Sequence, residues 1–385
     1  MTVSAPVELL DRLVALPTVS QDSNLALIEL VRDTLARSGV AVRLTFNDER
    51  TKANLFATIG DGPGGIVLSG HTDVVPVAGQ AWTSDPFTMV ERDGRLYGRG
   101  TADMKGFIAT ALALVPELVA RRLPEPVHLA FSYDEEVGCL GVHHLIADLK
   151  TAGIAPRLAL IGEPTSMRVV NAHKGICANQ TLITGVPAHS SQPQRGVNAI
   201  AAAGSMIAFI EQEARAAEQR ARSIGDFEPP YTTYNIGVVH GGTAMNIIAE
   251  RAELQWEFRN VPWDDSAELL ARAERFVADD LRPRLQARDA RADAVTACRV
   301  EVPGLMPDPE SPAVRLALRL TGQNRAGTVA FSTEAGLFQR AGIAAVICGP
   351  GSIDDAHRAD EFVERRQLEA CGRFLRQVVD GGALA

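Results

Sequence analysis

The sequence predicts an α/β protein with a doubly wound, mixed and largely parallel sheet, into which a ferredoxin-like βαββαβ domain is inserted. Apolar, β-branched runs of strand length alternate with helical patterns over residues 1–165, and this alternation returns near the C-terminus. Between these halves the predicted order is strand, helix, two strands, helix and strand. A chain of 385 residues also exceeds the usual size of one core, which favours two domains.

The larger predicted domain comprises residues 1–175 and 304–385. Its strands are expected where predominantly apolar, β-branched residues follow one another, at 65–68, 127–131, 158–161 and 344–348. Its helices are expected at 107–119, 142–149 and 364–379. The inserted domain comprises residues 176–303, with strands at 176–184, 233–239, 252–259 and 295–302 and helices at 198–218 and 266–281.

Composition excludes several classes of function. The net charge is -9 and no basic stripe is present, which argues against nucleic acid as a partner. No apolar run approaches the roughly 20 residues of a membrane span, and the N-terminal amphipathic pattern lacks the basic start of a secretory signal. The five cysteines are scattered and form no C-x-x-C pair. We therefore expect a reduced, cytoplasmic protein without membrane contact.

Histidine or acidic residues closely follow four of the predicted strands. They are His71 after GIVLSG, Glu135 and Glu136 after HLAFSYD, Glu163 after LALIG, and His357 after AAVICGP and a polar loop. Ligands bind at the carboxyl ends of strands in an open parallel sheet, so these side chains are expected to converge. Histidine and carboxylate ligands suit zinc, cobalt or manganese. The pattern predicts a metal centre.

Two aspartates fit the same centre. Asp103, in GRGTADMKG just before a helix, is placed to bridge two ions roughly 3.5–4 Å apart, although it would also serve as a plain helix N-cap. Asp73, two residues after His71, is placed to hold the second ring nitrogen of that histidine. Its alternative role is to stabilise a turn.

The adjacent acids Glu135 and Glu136 are expected to have different roles. Neighbouring side chains in an extended segment point apart, so one can bind metal while the other faces the substrate. We assign Glu136 as ligand and Glu135 as general base, a carboxylate that takes a proton from water and delivers it to the leaving amine. The alternative is two solvated acids in a loop.

In the inserted domain, His189 is placed to stabilise a developing oxyanion.

Six motifs in this order carry a resemblance to a known family: GHTDVVP, GRGTADMKG, DEE, GEPT, PAHSSQPQRGVNAI and AHRADEF. Together they resemble the dinuclear zinc amidohydrolases and exopeptidases related to carboxypeptidase G and succinyl-diaminopimelate desuccinylase, over nearly the whole chain. The resemblance implies two zinc ions, which cobalt can replace. The ligands it implies are His71 and Glu163 for one ion, Glu136 and His357 for the other, and Asp103 between them.

The same resemblance implies that Glu135 is the general base, that Asp73 orients His71, and that the inserted domain is both lid and homodimer interface. His189 would contact the scissile carbonyl in the partner subunit's site. Asn246 and Arg259 would hold the substrate carboxylate, and a guanidinium is suited to this by its two parallel hydrogen bonds. The sequence departs from relatives at residues 358–359, where Arg-Ala replaces a common Gln-Pro pair and predicts a different loop shape.

These residues predict hydrolysis of a small-molecule N-acyl-α-amino acid. Glu334, an acid in an apolar stretch, is placed to pair with a substrate ammonium such as that of ornithine, or to be a helix N-terminal acid capped by Ser332 or Thr333. A desuccinylase acting on succinyl-diaminopimelate, another deacylase and a dipeptidase remain alternatives. A non-catalytic binding protein is disfavoured, because every ligand and the base are present.

Overall fold

The computed structural model describes residues 5–221 and 226–381. Two compact units are found, one of Met1–Asn171, Pro307–Gly327 and Thr333–Ala385, the other of Ala172–Met306 and Thr328–Ser332. The predicted boundaries, after residue 175 and before residue 304, lie close to these. The assignment of Thr328–Ser332 to the second unit was not foreseen from the sequence.

The described residues form the following elements. The strands are β1 Val42–Phe46, β2 Ala53–Ile59, β3 Ile66–His71, β4 Val90–Arg92, β5 Arg95–Tyr97, β6 Val127–Ser132, β7 Leu158–Pro164, β8 Val170–His173, β9 Ile176–Thr184, β10 Thr233–Gly241, β11 Arg251–Arg259, β12 Asp293–Val302, β13 Gly327–Val329, β14 Ala344–Gly349 and β15 Phe362–Glu364. The α-helices are α1 Ala5–Val14, α2 Leu25–Ala36, α3 Gly106–Val119, α4 Leu140–Thr151, α5 Ala199–Gln219, α6 Ser266–Arg275, α7 Arg282–Gln286, α8 Pro312–Thr321, α9 Ala335–Arg340 and α10 Arg365–Gly381. Short π-helical turns span Thr101–Lys105 and Phe276–Leu281, and a 3-10 turn spans Pro193–Arg195.

The main sheet has the strand order β1-β2-β6-β3-β7-β14-β8-β13. Its four central strands β6, β3, β7 and β14 run parallel to one another, while β2 pairs with β6, and β1 with β2, in antiparallel fashion. Strands β3, β6 and β7 are buried along their whole length, as expected for uninterrupted apolar runs covered on both faces. The prediction of a mixed, largely parallel sheet is confirmed.

The core of this unit lies around α3, which is apolar on nearly all sides. Its buried residues include Phe107, Ile108, Leu112 and Val115, and it packs against α1 and α10. A helix that is hydrophobic all round has to be buried in this way. Because α3 follows the Thr101–Lys105 turn directly, its packing fixes the C-terminal end of the segment that carries Asp103.

The second unit has the predicted order βαββαβ, formed by β9, α5, β10, β11, α6 and β12. Its sheet is antiparallel throughout, with the order β10-β11-β9-β12. Along β9, buried residues alternate with partly exposed ones, the period-two pattern of a sheet with one covered face. The helix predicted at 266–281 is α6 followed by the Phe276–Leu281 turn.

A third sheet, of order β15-β5-β4, was not predicted. Each strand has only three residues, so no hydrophobic period can develop along it. Its register pairs Phe362 with Tyr97 and Glu364 with Arg95. The pairing brings the chain before Asp103 beside the chain after His357.

Among the helices of the described ranges 5–221 and 226–381, none combines the length and the apolar character needed to cross a membrane.

Candidate metal centre

The predicted ligands meet at one edge of the main sheet because four adjacent parallel strands end there. In the order β6, β3, β7 and β14, these strands present the Glu135–Glu136 turn, His71, Glu163 and the loop that ends at His357. Asp103 enters from the Thr101–Lys105 turn. The structure thus joins five chain segments into one cluster.

Asp103 lies between the two histidines. Its Oδ1 is 2.9 Å from His71 Nε2, and its Oδ2 is 3.0 Å from His357 Nε2. Glu136 Oε2 is also 3.0 Å from His357 Nε2. The backbone of Asp103 is not helical, and the N-cap position of α3 belongs to Lys105, so Asp103 does not cap that helix.

Two sets of side chains have the spacing of a metal site. His71, Glu135 and Glu163 form one set, and His71, Asp103 and Glu136 form the other, with ligand atoms within 4.8 Å of one another in each. Glu136 Oε1 and Glu163 Oε1 are buried and lack a hydrogen-bond partner among the described residues. An unpaired buried carboxylate oxygen is costly unless a cation is near, so the donor set fits divalent metal ions.

The charged groups of the cluster also favour the binding of divalent cations. Burial and then the neighbouring carboxylates raise the pKa values of Glu135 and Glu163 well above the usual range. Burial and the nearby Asp103 raise the pKa of Glu136 to about 7. Hydrogen bonds to Asp103 and Glu136 raise the pKa of His357 to about 10. Divalent cations among these groups would relieve the repulsion and favour the ionised carboxylates.

Asp73 acts through its main chain on His71 and through its side chain on the two glutamates. The ring of His71 donates from Nδ1 to the Asp73 carbonyl oxygen at 2.9 Å, while the nearest Asp73 carboxylate oxygen is 3.7 Å away. That carboxylate accepts hydrogen bonds from the Ser20 hydroxyl at 2.7 Å and from the Glu135 and Glu136 amides at 3.1 and 3.3 Å. Asp73 therefore anchors the turn that carries the predicted base.

Glu135 and Glu136 are not solvated loop acids, since their side chains are only 9% and 6% exposed. Glu136 faces His357, whereas Glu135 Oε2 lies 4.0 Å from His71 Nε2 and Oε1 accepts a hydrogen bond from the Cys139 thiol at 3.4 Å. The two acids thus contact different partners. The contact from Cys139 was not expected from the sequence.

Glu334 is buried, with 1% of its surface exposed. Its carboxylate accepts hydrogen bonds from Ser69 at 3.1 Å and from Ser132, at β3 and β6. The Thr333 hydroxyl accepts a bond from the Ala335 amide at the start of α9. In this arrangement the Glu334 carboxylate is not presented to a ligand, and its contact with substrate stays a prediction.

Three predicted residues belong to the second unit. His189 is exposed and its Nδ1 lies 2.8 Å from the Ser191 hydroxyl. Asn246 is exposed and its carbonyl accepts a bond from the Ser190 amide at 3.0 Å. Arg259 is partly exposed and its Nε pairs with Glu257 at 3.0 Å. Their roles toward substrate remain predictions.

The chain is similar to known proteins of one enzyme family. The model of peptidase family M20/M25/M40 matches residues 67–381. An acetylornithine deacetylase from Proteus mirabilis is 35% identical over 394 residues, covering 100% of this chain and 99% of that protein.

Two solved structures show the same fold. A tripeptidase from Staphylococcus aureus has a TM-score of 0.76 and 19% identity, with 99% of this chain and 98% of that chain covered. A dinuclear metal-binding peptidase of family M20 from Bacillus subtilis has a TM-score of 0.68 and 17% identity, with 97% and 96% covered. The family match and the full-length relative together show that this chain is a metallo-hydrolase belonging to peptidase family M20/M25/M40.

Proposed function

We propose that this enzyme hydrolyses the amide of N-α-acetyl-L-ornithine to L-ornithine and acetate, a step of arginine biosynthesis. The observation that carries the chemistry is the cluster in which the buried Asp103 lies between the buried His71 and the more exposed His357, while Glu135 remains beside it. The choice of substrate is supported by the full-length similarity to a protein named acetylornithine deacetylase.

Five residues would hold two divalent ions, for which Zn²⁺ is the first choice and Co²⁺ a substitute. They are His71 and Glu163 for one ion, Glu136 and His357 for the other, and Asp103 for both. When bound, such ions polarise an acyl carbonyl and make water a stronger acid.

Glu135 would carry the proton through the reaction. Its carboxylate takes a proton from the attacking water, whose oxygen becomes bonded to the acyl carbon. The C–N bond then breaks, and Glu135 delivers the proton to the departing α-amine, which leaves as ornithine. The Asp73 carboxylate supports this role because it binds the main-chain amide of Glu135 at 3.1 Å.

The second unit would supply the substrate contacts. Arg259 and Asn246 are assigned to the free carboxylate, and His189 to the developing oxyanion in the site of a partner subunit. The exposure of His189 in the single chain is compatible with a role in a homodimer formed through this unit. The five free cysteines support a reducing, cytoplasmic setting.

The preference for ornithine rests on the similarity to deacetylases. The buried Glu334 carboxylate does not add to it, because this carboxylate already accepts hydrogen bonds from two serines. The same centre would serve another N-acyl-amino-acid deacylase, a succinyl-diaminopimelate desuccinylase or a dipeptidase. These activities differ in the acyl group and in the charge of the amino acid.

The test is turnover of the zinc- or cobalt-loaded enzyme on N-α-acetyl-ornithine, acetyl-methionine, acetyl-citrulline, N-succinyl-diaminopimelate and a dipeptide. We expect kcat/KM to be highest for acetyl-ornithine. A higher kcat/KM for another compound would assign that compound as the substrate and leave the proposed metal centre unchanged. Hydrolysis of none of them by metal-loaded protein would contradict the proposed chemistry.

A further inference from the structure

The loop that carries His357 has an unusual backbone. His357 has φ +61° and Asp360 has φ +57°, in the left-handed region that residues other than glycine rarely adopt. Such conformations persist only where surrounding groups hold them. The loop therefore needs contacts from outside itself if His357 is to face Asp103 and Glu136.

The segment Gln80–Thr83 supplies these contacts to both left-handed residues. Gln80 donates from Nε2 to the His357 carbonyl at 2.9 Å. The Thr83 amide and hydroxyl donate to Asp360 Oδ1 at 2.9 and 3.0 Å. This segment consists of Gln80 and the first three residues of the stretch AWTSDPF at 81–87, to which no catalytic role is assigned.

Gln80 also connects to a buried ion pair. Its Oε1 accepts hydrogen bonds from Arg99 Nη2 at 2.6 Å and from Trp82 Nε1 at 3.0 Å. Arg99 in turn donates from Nη1 to Glu361 Oε2 at 2.5 Å, and the side chains of Arg99 and Glu361 are each 1% exposed. The guanidinium also lies 5.1 Å from the centroid of the Trp82 ring.

Glu361 completes the connection to the bridging carboxylate. Its Oε1 accepts hydrogen bonds from the main-chain amides of Ala102 at 2.9 Å and Asp103 at 3.1 Å. One chain of side chains, Gln80–Arg99–Glu361, thus runs from the carbonyl of His357 to the amide of Asp103. The side chains of those two residues meet at 3.0 Å.

The ligands of the other candidate ion are held in position by different contacts. His71 ends β3 and Glu163 lies within β7, two strands paired side by side in the centre of the main sheet. Their positions follow from the sheet ladder, with no contact to Gln80 among the described hydrogen bonds. Loss of the Gln80 contacts should therefore affect the two ions unequally.

We propose that Gln80, Arg99 and Glu361 are positioning residues that place His357 against Asp103 and thereby set the affinity of the ion held by His357 and Glu136. The inference rests on the proposed two-ion function. Partners that orient metal ligands typically change metal affinity 10- to 100-fold when they are mutated.

Gln80→Met is the main test variant, because it removes both polar ends of a half-buried side chain and leaves the buried ion pair in place. Gln323→Met is the matched control, because Gln323 is also half-buried. Its side chain likewise hydrogen-bonds two main-chain groups, donating to the Met167 carbonyl at 2.9 Å and accepting from the Val169 amide at 3.1 Å. Trp82→Phe is a milder second variant, which keeps a ring beside Arg99 and loses one donor to Gln80.

Each variant is measured in two backgrounds that retain one ion, by equilibrium dialysis of metal-free protein against Zn²⁺ with metal analysis. In Glu163→Ala, which keeps the His357 ligand set, we expect Gln80→Met to raise the zinc Kd about 10-fold or more. In His357→Ala, which keeps the His71 set, we expect the Kd to change less than about 2-fold. Trp82→Phe should give a smaller loss in the same direction, and Gln323→Met should change neither.

An unchanged Kd in the Glu163→Ala background would overturn the proposal. Equal weakening in both backgrounds would overturn it as well, because that result describes general damage to the centre. If Gln80→Met does not fold, the same comparison of backgrounds with Trp82→Phe decides. Wild-type protein that binds fewer than two ions would contradict both this inference and the proposed function, whereas failure to hydrolyse acetyl-ornithine with two ions bound would contradict only the latter.

Discussion

His173 is a buried histidine whose ring has one described hydrogen bond. Its side chain has no exposed surface, and Nδ1 donates to the Lys174 carbonyl at 2.8 Å. Nε2 is buried without a partner among the described residues, so a proton there would create an unpaired charge. Burial accordingly lowers the pKa of His173 to about 4.

This histidine predicts a specific acid sensitivity. In the unfolded chain its pKa returns to about 6.5, so between these two pKa values only the unfolded state binds the proton. Folding stability from this group is complete above pH 6.5 and falls as the pH drops toward 4. Between pH 7 and 5 the linkage amounts to about 2 kcal/mol.

The measurement is urea unfolding of metal-free wild-type protein and the His173→Leu variant at several pH values. We expect the free energy of unfolding of the wild type to fall by about 2 kcal/mol more than that of the variant over this pH interval. The comparison uses the change with pH, since the substitution also alters packing. Parallel pH dependence of the two proteins would show that His173 is not kept neutral by burial.

The sequence names the candidate ligands residue by residue, but it does not show the contacts that support them. His71 and Glu163 stand at strand ends, where the sheet edge gives a local rule. The partners of Asp73 are amides 62 and 63 positions away, and the serines that bond Glu334 are 265 and 202 positions away. No local pattern of residue types encodes such contacts.

At the level of single elements, helix α3 approaches β7 closely beside the candidate ligand Glu163. A Cβ added to Gly162 would lie 2.0 Å from the ring of Phe107 at the start of α3. Such a distance forces the helix or the strand to shift, and Glu163 is the next residue. The strand and the buried helix therefore specify glycine at this position.

Gly162→Ala should lower the free energy of unfolding by about 1–3 kcal/mol, the usual cost of overpacking a core. Gly204→Ala is the matched control in α5, at an exposed position where an added Cβ meets nothing within 4 Å. There we expect a gain of about 0.5–1 kcal/mol from helix propensity. Thermal unfolding of both variants checks the pair. Equal effects of the two substitutions would contradict the close packing of β7 on α3.

The strands that were predicted stand on apolar runs or on a clear alternation, and the strands of the third sheet offer neither. The runs at 127–131 and 158–161 lie within β6 and β7, and the alternation of β9 matches its single covered face. The three-residue strands β4, β5 and β15 carry too few side chains for a period. Their pairing depends on tertiary contacts. It nevertheless brings together the chain segments that carry Arg99 and Glu361, which Gln80 connects to His357.

At the scale of the whole molecule, the candidate centre draws on segments from His71 to His357, with the second unit inserted between Glu163 and His357. The fold class followed from the order of predicted elements, since an inserted βαββαβ run interrupts the α/β pattern. Assembly of the candidate centre thus draws on chain segments throughout the first unit, and the proposed chemistry requires one acid that is not used as a ligand.

The most direct test of this account is the Glu135→Gln variant, measured for bound zinc and for turnover of acetyl-ornithine in the same preparation. The amide keeps the shape of the side chain and cannot accept the proton, so we predict two ions per chain and a kcat lower by about 10²- to 10⁴-fold. Turnover near that of the wild type with both ions bound would contradict the assignment of Glu135 as the proton carrier of a two-metal hydrolase.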